Sequence, residues 1–142
     1  MIAQTIQLAL APVFVLVAIG NILNILSARL GRIVDRARHL QARHGETEGP
    51  QREMVVREMR GIDQRIRLIG HAMRLLVISG IAIGTTVAVL FLEELISAEL
   101  ERVAAGFFIV AIALLMGALT LFLRETQIAA ATLRIPRDYL EG

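Results

Sequence analysis

The chain has 142 residues, 56% of them hydrophobic and 4% aromatic, and a formal net charge of +2. That length allows one domain, and the absence of cysteine excludes disulfide frameworks, thiolate metal sites and cysteine nucleophiles. All 15 basic residues are arginine, which excludes Schiff-base lysine chemistry and the lysine of phosphate-binding loops.

The first 28 residues carry no ionisable side chain. Within them Ile6–Ala28 forms an apolar window long enough to cross a bilayer, which needs about 20 residues as a helix. No basic residue precedes this window, whereas a secretory leader begins with a positive segment; a retained span is expected. Pro12 marks either the first turn of the span or a kink within it. In the first case residues 2–11 would form a short interfacial helix. Gln7, Asn21 and Asn24 fall within about 100° of one another on a helical wheel. Such a stripe suits either packing through amides or the wall of a pore.

The next segment changes character in one step. Residues 29–74 hold 11 of the 15 arginines. Leu23, Leu26, Leu30, Ile33, Ala37 and Leu40 are spaced 3-4-3-4-3, and Val55, Met59, Ile62, Ile66, Ile69, Met73 and Leu76 continue the pattern after the break "HGETEGP". These are heptad seams, and Gly45, Gly49 and Pro50 supply stop and restart signals between them. The expectation is a coiled-coil hairpin of two antiparallel helices over 29–74, extending spans one and two. If the turn centres on residues 47 and 48, facing residues have numbers summing to about 95. Arg32 would then meet Asp63, and Asp35 would meet Arg60.

The arginines of this segment are interleaved with Asp35, Glu46, Glu48, Glu53, Glu58 and Asp63, and no aromatic residue is available to stack on bases. Nucleic-acid binding therefore fits poorly. Guanidinium groups reaching anionic lipid head groups at the membrane face fit better.

Span two is expected over 75–92, "LLVISGIAIGTTVAVLFL", and holds Gly80 and Gly84 at the spacing that lets helices approach closely. The loop "EELISAELER" follows, with four glutamates and one arginine. Glu93 and Glu94 would form an acidic ring if several copies surrounded an axis. Span three is expected over 103–123, and a tail over 124–142 carries Arg124, Arg134 and Arg137. Arginine counts beside the spans place the N-terminus outside, and the 29–74 hairpin and the C-terminus in the cytoplasm.

Reactive constellations are lacking in the sequence. His39 and His44 are five residues apart and share a helix face poorly, and His71 lies beside Arg74, so no metal site is expected. No glycine-rich phosphate loop, HExxH or GxSxG occurs. The spans hold no charge at mid-depth, which disfavours ion-coupled transport. Neither catalysis nor a cofactor is expected.

An uncharged first span with a proline, "RLGRIVDRAR" over Arg29–Arg38, a second arginine helix ending "RIRLIGHAMRLL" and the exit "FLRE" of the third span resemble a bacterial membrane family. It is known as domain-of-unknown-function family 2721. The resemblance covers nearly the whole chain. It implies a three-span protein of the bacterial inner membrane and brings no catalytic residues. The resulting expectation is an all-α integral membrane protein, one domain over 1–142. It would act as a homo-oligomeric scaffold or interaction protein, its protein partner unspecified, with anionic lipid at its cytoplasmic face. The alternative is a homo-oligomeric cation-permeable pore lined by the first span.

Overall fold

The computed structural model describes residues 2–46 and 48–132, without the side chains of 131 and 132. The chain forms three helices in succession: α1 (Ile2–His44), α2 (Pro50–Ile96) and α3 (Glu101–Thr132). At 1.5 Å per residue they are roughly 65, 70 and 48 Å long, all greater than the ~30 Å hydrocarbon core of a bilayer. Each contains a stretch long and apolar enough to cross a membrane. Only 17%, 28% and 11% of the residues in those stretches are buried inside the protein, so most of their apolar surface must meet lipid or another chain.

Pro12 lies inside α1, is buried, and begins no new element. Helix α1 runs unbroken from Ile2, so residues 2–11 are not a separate interfacial helix. A proline within a spanning helix is tolerated where neighbouring groups re-satisfy the freed carbonyl.

The break between α1 and α2 follows from backbone chemistry. The Glu46 amide donates to the Arg43 carbonyl, closing the end of α1. Gly49 adopts φ 71° and ψ −138°, a combination open almost only to glycine. Its carbonyl accepts from the amides of Arg52 and Glu53 at 3.1 and 3.2 Å, starting α2, and Pro50 occupies the first turn, where a missing N–H costs nothing. Helix α2 ends at Ser97, a non-glycine residue in the left-handed region at φ 56°.

Helix α2 is central, with α1 and α3 both packed on it. The buried positions recur every seven residues. On α1 they are Thr5, Pro12, Ile19, Leu26, Ile33 and Leu40. On α2 one line is Val55, Ile62, Ile69, Leu76 and Ile83, and a second is Ala72, Ser79 and Thr86. On α3 the line is Ala104, Ala111, Ala118 and Glu125. Leu26, Ile33, Leu40, Val55, Ile62, Ile69 and Leu76 of the expected seam lie in the core, which also takes in Ile19, Ala82, Ile83, Ala111 and Ala118; Leu23, Leu30, Ala37, Met59, Ile66 and Met73 are half-buried against it. The α2–α3 contact uses small residues, which let helix backbones approach closely. Ser79 Oγ donates to the Ala111 carbonyl across it at 2.6 Å.

Helix α3 does not end with its apolar window at Leu123. It continues to Thr132, so the first part of the expected tail is helical; residues 133–142, with Arg134 and Arg137, lie outside the described residues.

Candidate functional site at the three-helix junction

The alanine line of α3 ends in a carboxylate. Glu125 occupies the position seven residues after Ala118, and its side chain is completely buried. It can stay there because two guanidiniums reach it. Arg29 Nη2 donates to Oε2 at 2.5 Å, and Arg65 Nε donates to Oε1 at 2.9 Å. Arg29 comes from α1 and Arg65 from α2, so one carboxylate ties all three helices together. Charge-assisted bonds of this kind are about twice as strong as neutral ones, and they offset the large cost of taking a carboxylate out of water.

Phe122, one turn before Glu125, completes the arrangement. The Arg29 Cζ sits 5.5 Å from its ring centroid, within range of a cation–π contact. Thr126 Oγ1 donates to the Phe122 carbonyl at 2.9 Å. The Arg29 and Arg65 side chains remain 24% and 20% exposed. The Nε of Arg29 is buried without an acceptor. The junction is thus a positively charged node built around one buried anion.

The model for a family described as "Protein of unknown function (DUF2721)" matches residues 9–135. The chain belongs to this family. No curated protein and no solved structure matches it. The two sequence pieces that carry the likeness to DUF2721, "RLGRIVDRAR" and "FLRE", meet at this junction through Arg29, Phe122 and Glu125.

The ion pairs of this DUF2721 chain differ from those expected. Asp63 pairs with Arg67, one turn along its own helix, and not with Arg32; Asp35 and Arg60 form no pair among the described residues. The pair that joins α1 to α2 outside the junction is Arg36 Nε with Glu58 Oε1 at 2.9 Å. The numbers of that pair sum to 94, one short of the 95 expected for facing residues, but it joins other partners than Arg32 with Asp63 or Asp35 with Arg60. The reason is lateral. Arg32 borders a groove beside α3, whereas Asp63 borders a different cleft with Ala37, Gln41 and Met59.

Gln7, Asn21 and Asn24 are all exposed on α1, and none makes a side-chain hydrogen bond within the described residues. A methyl group on Gly80 would lie 3.6 Å from Leu16 Cδ1, an ordinary contact, and one on Gly84 would meet nothing within 4 Å. The close small-residue contact inside the chain is therefore made by Ser79 and Ala111, not by the Gly80–Gly84 pair.

At the opposite end, Glu93 and Glu94 border a cleft of about 330 Å³ with Gln4, Thr5, Ser97, Glu99 and Glu101. Thr5 Oγ1 donates to Glu94 Oε2 at 3.4 Å. His39 and His71 are exposed, and His44 Nε2 accepts from Arg52 Nε across the turn at 3.3 Å. Among the described residues no three His, Asp or Glu side chains come together as a metal site.

Proposed function

We propose that this protein is a non-enzymatic, homo-oligomeric scaffold of the bacterial inner membrane. In this reading the N-terminus lies outside, and residues 29–74 form a cytoplasmic hairpin at the inner face. The arginine distribution supports that orientation, because arginine accumulates beside spans on the cytoplasmic side.

The exposed amides of α1 carry the proposal. Asn21 and Asn24 lie within the apolar stretch of α1 and are exposed among the described residues. An amide left bare in hydrocarbon costs several kcal/mol, roughly 4 to 8 on a water-to-alkane scale. Pairing with the same amides of a second copy removes that cost, and interhelical Asn and Gln contacts are a recognised adhesive between membrane helices.

A native sequence without cysteine makes the test direct. Asn24→Cys provides a unique thiol, and mild oxidation in native membranes should yield a covalent dimer. Ile109→Cys on the exposed surface of α3, 67% accessible, should not. Equal cross-linking at both positions, or none at either, contradicts an α1 interface.

The second reading is a cation-permeable pore. The same amides would face water, and Glu93 and Glu94 of several copies would form the outer ring; carboxylate rings favour cations. It requires four or more copies around an axis and ionic conductance that Asn24→Leu abolishes.

A further inference from the structure

Four arginines border one groove at the arginine-rich end of the spans. Arg29, Arg32 and Arg36 come from α1 and Arg65 from α2; Thr126, Ala129 and Ala130 of α3 form the third wall. Its volume is about 440 Å³. Two carboxylates act on these four guanidiniums: Glu125 on Arg29 and Arg65, and Glu58 on the Nε of Arg36. Arg32 has no carboxylate partner among the described residues. Each guanidinium has five N–H donors, so the groove holds both excess positive charge and spare donors.

Its depth and its walls define what fits. Arg29 is the first charged residue after the uncharged first span, and Thr126 lies three residues beyond the apolar window of α3. The groove therefore sits where hydrocarbon gives way to head groups, with Ile33, Ala129 and Ala130 lining an apolar side. Guanidinium matches phosphate oxygens in a two-pronged geometry.

We infer that this groove binds the phosphodiester head group of an anionic phospholipid, with Arg32 and Arg36 as its principal contacts. Arg29 and Arg65, pinned by Glu125, form the fixed edge against which the phosphate rests. The inference rests on the membrane reading but not on the number of subunits, so its failure leaves the oligomer untouched.

The test uses the purified full-length protein in neutral detergent, titrated with phosphatidylglycerol or phosphatidylcholine and read by native mass spectrometry. Arg32→Gln with Arg36→Gln should weaken phosphatidylglycerol binding by roughly 30-fold, taking about 1 kcal/mol per arginine near an anionic surface. Arg38→Gln with Arg57→Gln removes the same charge outside the groove and should leave binding nearly unchanged. Ala130→Glu, which adds a carboxylate to the wall, should weaken binding without removing an arginine. Equal losses in the groove and control pairs would show diffuse attraction and overturn the site. Displacement of the lipid by millimolar inorganic phosphate would also overturn it, in favour of a soluble anion.

Discussion

Glu125 and Arg65 are 60 residues apart in sequence, and their side chains meet at 2.9 Å. That contact, with its counterpart from Arg29, joins the end of α3 to the segment where α1 and α2 leave their apolar stretches. The energetic consequence is asymmetric. Removing the arginines strands a buried anion, whereas removing the glutamate leaves two cations that can turn outward. Arg29→Ala with Arg65→Ala should cost about 3 to 5 kcal/mol, the usual penalty for breaking a buried pair from one side. Glu125→Ala, which merely extends the line of Ala104, Ala111 and Ala118, should cost less. Adding Glu125→Ala to the double variant should raise its melting temperature in detergent. A triple variant no more stable than the double would contradict this account of the junction.

The α2–α3 contact should be sensitive to size more than to polarity. Ser79→Ala removes one interhelical hydrogen bond, worth about 0.6 kcal/mol on average in membrane proteins. Ala111→Leu inserts a branched side chain at a fully buried position and should cost about 1 to 3 kcal/mol. Thermal unfolding of both variants checks the order; a Ser79→Ala effect larger than that of Ala111→Leu would reverse the interpretation.

A double-mutant cycle distinguishes the observed cross-helix pair from the expected one. Reversing Arg36 to Glu should be partly rescued by Glu58→Arg, with a coupling under about 1 kcal/mol because the pair is 46% and 34% exposed. Arg32→Asp should not be rescued by Asp63→Arg. Coupling in the second cycle and none in the first would mean the partners are exchanged.

The apolar seam was legible because its signal is long and redundant. Leu26, Ile33 and Leu40 against Val55, Ile62 and Ile69 fix the α1–α2 register by burial alone, whatever the charges do. The ion pairs were not legible in the same way. Matching residues by the sum of their numbers locates a level along the helices but not the side of the seam on which each charge stands, and Arg32 and Asp63 stand on different sides. Glu125 was hidden for another reason. Charge after Leu123 resembles the start of a tail, because the apolar window ends there. The available signal was the seven-residue spacing of Ala104, Ala111 and Ala118, which continues to Glu125 and places a carboxylate at a buried position. Pro12 was ambiguous because proline tolerates both a helix start and a helix interior, and only the packing around it decides.

The turn before α2 depends on one residue. Gly49→Ala forces a side chain into a backbone region that costs about 1 to 3 kcal/mol. Ser97→Gly, at the left-handed end of α2, should stabilise by roughly 1 kcal/mol. Opposite shifts in melting temperature are expected from the two variants; a neutral Gly49→Ala would mean the turn relaxes into another conformation.

The most direct measurement is the protein mass of the purified particle in nanodiscs, with bound lipid subtracted, for the native chain and for Asn21→Leu with Asn24→Leu. The account predicts two or more copies for the native chain and a shift towards a single copy for the variant. A native particle containing one copy would contradict the homo-oligomer and, with it, both the scaffold and the pore.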